Sequence, residues 1–553
     1  MPKKKKGKVS QRQNTIVKVY DFFSRRRILF ALGIIIAVAF TVRVVLPLRV
    51  VFGHGFVNFI ATDSYNRMYY ARQISGLPVF NGYIYAIQNS LLFSWIVGTL
   101  GRFLPLEIVG AWLPPLLAAG TVAVVYLIGA NLFNSFVGIM AALFVAVIPS
   151  EFYHRTQLGF ADHHALEVLL MAVMVYLVIK ALRETTALNR YTWVCGLVLF
   201  LYLFNWTGGL LMVGIFGLLA LGIIKKRVFY KVECKQPVLT LTLVSFIGVF
   251  LFMIMGGYVR YLWWLLPNAN VALVEHASGL TSETLATIIM PLSERTTSEL
   301  MPLLFPFGKF NLAVVVTNMH LFAITFILGL VFLWRWRKDN INLFILIWTI
   351  VLLALTLNQR RFLYYLTLPV GLLSAWAVYE LGQLFKRDSL LIMLLVTTML
   401  VLVSMPMLRM ISAGSVYNMT PEWHDALVWL KDQPDNGKVT AWSDFGHWIL
   451  YTAEKTPSML PNPGGDNIAT LFLTEDDEEA QNLMTELNTG YLIIDRQTVD
   501  YKVEALQVIS GLEMTPLSLA RRLLDGKRVP YLELIYESEN IRVYETDYDY
   551  KGE

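Results

Sequence analysis

Apolar residues fall in long blocks over most of the chain, at about 28–48, 107–129, 135–150, 164–182, 192–204, 208–224, 237–261, 313–334, 341–357, 362–381 and 388–407, each bounded by charge, glycine or proline. Blocks of this kind match the ~20 residues an α-helix needs to cross a bilayer's hydrocarbon core of ~30 Å. The pattern predicts a polytopic α-helical membrane protein with about eleven spans. From about 415 onward the chain becomes charged and turn-rich, with short apolar runs such as YLIID at 491–495 and YLELIYE at 531–537. Those runs predict a C-terminal mixed α/β domain over 415–553.

A hydrophobic fraction of 56% over 553 residues agrees that most of the chain sits in lipid. Lys and Arg then orient it. They crowd into MPKKKKGK and Arg25 to Arg27, Lys180 and Arg183, Lys225 to Arg227, Arg335 to Lys338, and Lys386 with Arg387. Cytoplasmic loops carry such an excess, so the basic tail 1–27 is expected inside, with the loops 49–106, 151–163 and 262–312 outside. An odd number of spans across 28–414 then leaves 415–553 extracytoplasmic, in a multi-pass protein of the cell (inner or plasma) membrane. The net charge of +6 comes largely from this anchoring and gives no ground for a nucleic-acid partner. No cleavable signal is expected, because the first apolar block is long enough to span. Two cysteines, Cys195 and Cys234, do not make a disulfide framework.

The outward segments carry more chemistry than anchoring needs. EFYHRTQLGFADHHAL, 151–166, sets Asp162 and His164 two residues apart at the membrane surface. On a regular helix those side chains diverge by about 200°, so they converge on one ion only at a helix start or in a turn, which Gly159 would allow. His163 between them is expected to point elsewhere. Asp63, in GFVNFIATDSYNRMYYARQI, is either a helix cap or a metal or substrate ligand. In PLSERTTSELMPL, within 262–312, Glu294 and Glu299 could bring a further carboxylate to the surface. Oxygen-rich donors with one imidazole suit Mn²⁺ or Mg²⁺ better than structural zinc. Arg360 and Arg361 in LNQRRFLYY face outward against the positive-inside rule and ask for an anionic partner, such as a lipid-borne phosphate. VTAWSDFGHWILY packs Trp442, Asp444, Phe445, Gly446, His447 and Trp448 into seven positions, a composition that suits a small-ligand or peptide pocket.

Taken together and in order, these motifs resemble the catalytic subunit of the oligosaccharyltransferases, in its single-subunit archaeal or bacterial form. WSDFG at 442–446 is similar to that family's WWDYG, TDSY with Asp63 to its first acidic motif, and HRTQLGFADHH to its second. TTSE at 296–299 looks like the loop whose glutamate reaches the metal, and QRRF at 359–362 like the arginine-phenylalanine donor site. NWTGGL at 205–210, TPEWHDALVWLKDQP at 420–434 and YESENIRVYE at 536–545 extend the resemblance almost end to end. It implies up to thirteen spans, and transfer of a preassembled glycan from a polyprenyl (di)phosphate to asparagine in Asn-x-Ser/Thr, inverting the anomeric carbon. It further implies Asp63 and Glu299 as catalytic carboxylates, a Mn²⁺ or Mg²⁺ ion on Asp63, Asp162 and His164, and donor phosphate on Arg361. Trp442, Ser443, Asp444 and Lys502 would bind the acceptor sequon. Ser443 and Phe445 depart from the family pattern, which puts the shape of the hydroxyl pocket in doubt. Two other readings share some of these features: a related membrane glycosyltransferase with a non-sequon acceptor, and a transporter. The second should carry polar residues midway through its spans.

Overall fold

A computed structural model describes residues 7–230, 235–257, 301–305, 309–335, 339–385, 389–412, 418–460 and 466–547. Every one of the eleven apolar blocks falls on a helix. Among the described residues, seven helices are long and apolar enough to cross a membrane, or eight if the pair Ala313–Met319 and Phe322–Arg335, bent by 84°, is one span. That bend falls at His320, whose φ of +46° breaks the helical run. Three blocks have no counterpart among these helices: Ser135–Val147 and Arg190–Asn205, with 13 and 16 residues, are short for a full crossing, and Leu210–Tyr230 runs into the basic stretch Lys225 to Arg227.

Helix starts follow from local chemistry. Asn134, Asn189 and Asp339 each accept backbone N–H bonds at the head of the helix that follows, satisfying donors that would otherwise be orphaned. Between helices, small residues set the spacing. A Cβ on Gly129 would come within 2.8 Å of Gly138 Cα, so Leu106–Leu132 and Ser135–Val147 cross in backbone contact. Leu363–Leu384 is the central helix, buried without interruption from Leu363 to Val378, whereas Ser389–Ser412 lies on the periphery.

The C-terminal region is α/β, built on a four-stranded sheet of order β1-β2-β4-β3. β1 (Lys438–Thr440) runs parallel to β2 (Thr489–Asp495), and β4 (Ile541–Thr546) pairs antiparallel with β2 and with β3 (Leu532–Glu537). β2, which contains the YLIID run, is buried at every position, as a central strand covered on both faces must be. The unit is pinned to the helical part at named points. Asn58 Nδ2 donates to the Met419 carbonyl at 2.8 Å, and Arg72 Nη1 to that of Tyr451 at 3.0 Å. The Tyr451 hydroxyl donates to Glu107 Oε1 at 2.9 Å, under the Arg72 guanidinium 4.0 Å from its ring centre.

Candidate active site

The segment ahead of the His164–Arg183 helix is shaped by a buried arginine and a glycine. Arg43 donates Nε to Thr156 Oγ1 at 2.8 Å and Nη1 to the Ala146 carbonyl at 3.0 Å, while its own carbonyl accepts from Leu158 N at 2.9 Å. Gly159 adopts φ +82°, and a Cβ there would strike Val51 Cγ2 at 2.6 Å. The chain therefore turns before helix begins, and Asp162 precedes the first helical residue, His164, by two positions. That turn is the irregularity the Asp162/His164 spacing required.

Asp162, His163 and His164 form a group whose ligand atoms lie within 4.8 Å of one another. His163 does not point elsewhere: its Nδ1 makes a short contact with Asp162 Oδ1, and its Nε2 lies 2.9 Å from Glu167 Oε1. The imidazole is hydrogen-bonded to Asp162 through Nδ1, whereas its approach to Glu167 Oε1 is an ion pair without hydrogen-bond alignment. Burial and Arg67 oppose its charge, yet Asp162 and Glu167 outweigh them and raise its pKa. For Asp162 itself burial works upward, but His163, His164 and Arg67 hold the carboxyl well below its usual range. Arg67 Nε donates to Asp162 Oδ1 at 3.1 Å.

The fit to a divalent cation rests on the other carboxylate oxygen. Asp162 Oδ2 is buried with no hydrogen-bond donor, and His164 Nε2 stands 3.2 Å from it. His164 Nδ1 lies 3.4 Å from Glu167 Oε2, an acceptor, which places the imidazole proton on Nδ1 and leaves the Nε2 lone pair facing a second lone pair. Two adjacent donors on a small cation with bonds of about 2.1 Å lie about 3 Å apart. The pair therefore fits a small divalent cation.

Asp63 stands apart from this group. It sits in the first turn of the Thr62–Gly76 helix, behind Ala61 at φ +65°. Its side chain is 57% exposed, with Oδ1 3.8 Å from Nδ1 of His447. The expected trio of Asp63, Asp162 and His164 is thus not drawn into one cluster; Arg67 and His163 occupy Asp162 Oδ1, and the imidazole nearest Asp63 is His447. His447 directly follows WSDFG and is buried, with no hydrogen-bond partner on Nδ1. Burial and Arg67, against Asp162 and Asp444, push its pKa down to about 4, so it is neutral at pH 7.

At the next helix, the two arginines divide. Arg360 Nη2 is bound to Glu151 Oε1 at 2.8 Å, so its partner is a protein carboxylate rather than a ligand phosphate. Arg361 is half-buried and pairs with no carboxylate among the described residues. One turn on, Tyr364 and Tyr365 donate their hydroxyls to Glu167 Oε2 at 2.9 and 2.5 Å.

In the α/β unit, Trp442 is buried with no acceptor for Nε1, and Ser443 is buried beside it. Asp444 Oδ2 accepts from Lys502 Nζ at 2.9 Å across 58 positions of sequence. Phe445 and Trp448 stack at 4.7 Å against Trp423, forming core beneath the motif. Glu294 and Glu299 lie outside the described residues.

Sequence reasoning missed Arg67 and Glu167 and gave His447 no role. Two of them carried a signal: Arg67 follows Asp63 by four positions and Glu167 follows His164 by three, spacings that share a helix face.

Comparison with known proteins converges on one family. A model described as oligosaccharyl transferase STT3, N-terminal, matches residues 64–413, and one for the AglB core domain matches 427–499. "Dolichyl-phosphooligosaccharide-protein glycotransferase 2" of Archaeoglobus fulgidus is 21% identical over 490 residues, covering 78% of this chain and 77% of the relative. "Dolichyl-monophosphooligosaccharide--protein glycotransferase AglB" of Haloferax volcanii is 20% identical, covering 69% of this chain and 55% of the relative. In fold, the chain is similar to the archaeal oligosaccharyltransferase AglB from Archaeoglobus fulgidus solved with an inhibitory peptide and a dolichol-phosphate. That match has a TM-score of 0.78 at 17% identity, over 93% of this chain and 80% of the other. The fold of ArnT from Cupriavidus metallidurans bound to undecaprenyl phosphate is more distant, with a TM-score of 0.55 at 10% identity over 93% and 97% of the two chains. With the helical part and the α/β unit each matched in turn, the chain belongs to the oligosaccharyl transferase STT3 family.

Proposed function

We propose that this oligosaccharyltransferase moves a preassembled glycan from a polyprenyl phosphate or diphosphate to the side-chain amide of asparagine in Asn-x-Ser/Thr, inverting the anomeric carbon and working as a single subunit. The observation that carries this reading is the approach of His447 to Asp63 at 3.8 Å, because it sets the WSDFG segment against the acidic end of the helical part. An acceptor held by Trp442, Ser443, Asp444 and Lys502 then presents its asparagine next to Asp63. A dolichol-phosphate and an inhibitory peptide bound to the Archaeoglobus fulgidus relative support both substrate classes.

Amide nitrogen is a poor nucleophile because its lone pair is delocalised into the carbonyl. Asp63 accepts a hydrogen bond from one amide N–H, with Glu299 proposed for the other, and weakens that delocalisation. The N–C1 bond forms as the C1–O bond to phosphate breaks on the opposite face, and the amide proton passes to the carboxylate. The leaving phosphate keeps the electron pair and meets the Arg361 guanidinium, which can bind its oxygens in a fork. Asp162 and His164, with Asp63 as the proposed third ligand, would hold Mn²⁺ or Mg²⁺, which would supply charge stabilisation for that phosphate.

The test is transfer from a membrane lipid extract to a fluorescent Asn-x-Thr peptide by purified protein with Mn²⁺, beside EDTA and an Asn-to-Gln peptide. A metal-dependent mass shift on asparagine is expected. Transfer to a lipid or hydroxyl acceptor, with none to the peptide, would replace this reading with a related membrane glycosyltransferase that uses a non-sequon acceptor.

A further inference from the structure

Glu167 is a fully buried carboxylate in an apolar helix, a costly placement that the proposed chemistry leaves unused. Its two oxygens face four groups. Oε1 lies 2.9 Å from His163 Nε2; Oε2 accepts from Tyr364 at 2.9 Å and Tyr365 at 2.5 Å, and lies 3.4 Å from His164 Nδ1. The two imidazoles belong to the cluster that fits a cation, and the two tyrosines begin the helix that follows Arg361. Glu167 is therefore the one side chain among the described residues bonded to both. Neither link is loose: the His164 ring packs at a tilt 4.9 Å from that of Tyr364, and Arg155 lies 5.2 Å over the Tyr364 ring.

Resting on the metal and donor readings above, we infer that Glu167 is a positioning residue that couples the two sites. It fixes His164 with Nε2 toward the ion, and it fixes the first turn of the Leu363–Leu384 helix, hence the Arg361 guanidinium, at the height of the departing phosphate. A carboxylate behind a ligating histidine raises the ligand's basicity and locks its orientation, and losing one costs ~10–100-fold in metal affinity. Because Glu167 holds both sides, its loss must weaken two ligands that do not share a binding residue.

The experiment uses full-length protein in nanodiscs. Mn²⁺ affinity is read by electron paramagnetic resonance of the free ion, and farnesyl phosphate affinity is read in EDTA, where no metal contributes. Asp162→Asn should weaken Mn²⁺ alone, and Arg361→Ala farnesyl phosphate alone. Glu167→Gln should weaken both, Mn²⁺ by ~10–100-fold and farnesyl phosphate several-fold, with the melting temperature of the metal-free protein checking the fold. An unchanged affinity for either ligand in Glu167→Gln overturns the coupling. If in addition Asp162→Asn leaves Mn²⁺ binding intact, the metal reading falls with it; if Asp162→Asn abolishes it, that reading stands alone. Should Glu167→Gln not fold, Tyr365→Phe deletes one hydroxyl of the same link, and weakening of both ligands is again required.

Discussion

His447 Nδ1 stands 3.8 Å from Asp63 Oδ1, joining a residue of the α/β unit to one 384 positions earlier in the chain. The imidazole has no hydrogen-bond partner on that nitrogen among the described residues, and it is shielded on all sides. Nothing but docking of the two parts brings it there. His447→Ala should therefore raise KM for the sequon peptide and lower kcat, leaving KM for the lipid donor within about twofold. Steady-state kinetics with each substrate varied in turn checks this; a rise confined to the donor KM would contradict it.

Asp63→Asn keeps the size of the side chain while removing its capacity to take a proton. If it is the base for the amide, kcat should fall by ~10²–10⁴-fold. Single-turnover transfer to the peptide measures this, and retained activity would remove Asp63 from the chemistry.

Arg361 is half-buried and meets no carboxylate among the described residues, whereas Arg360 is tied to Glu151 at 2.8 Å. Arg361→Lys retains charge but loses the fork, and Arg361→Ala loses both. Donor KM should rise for both, more for alanine, with peptide KM unaffected. Arg360→Ala should instead lower thermal stability, because it removes the nearest cation from the enclosed Glu151 and leaves the longer contacts to Arg155 and His154.

Asp495 caps the Arg496–Tyr501 helix that ends at Lys502, accepting from Thr498 N at 2.9 Å and Oγ1 at 2.7 Å. Burial raises its pKa to about 6, against the hydrogen bonds from Thr498 and the charge of Lys502. The folded form thus binds a proton that the unfolded form, with a carboxyl near ~4, has already released. Stability from this group is full below the unfolded value and is lost as pH rises through about 6. The melting temperature of the wild type should fall from pH 4 to pH 7 by more than that of Asp495→Asn, which can still cap. An equal pH dependence in the two proteins would contradict this.

Much of the architecture was legible in order and composition. Apolar blocks located the helices, because lipid forces backbone polar groups to bond within each segment, so hydropathy and helix coincide. Asp162 with His164 was legible for a similar local reason: Gly159 permits the turn on which their convergence depends. Lys502 was picked from loosely spaced sequence, and only the fold shows it 2.9 Å from Asp444.

The remaining site is non-local. Arg67 on Asp162, Tyr364 and Tyr365 on Glu167, and His447 by Asp63 each join segments whose separation in sequence carries no periodicity to read. His163 was misjudged because helical geometry was applied to a residue held by two carboxylates, one of them contributed a full turn later. Asp63 was assigned to the ion by motif order; in the folded chain it stands beside His447, outside the group of Asp162, His163 and His164. The sequence by itself determined which segments enter lipid and which residue types gather at one end, since both follow from solvation of each segment alone. Only the tertiary structure decided which carboxylate meets which imidazole, because burial of charge is settled by the partners that packing brings within reach.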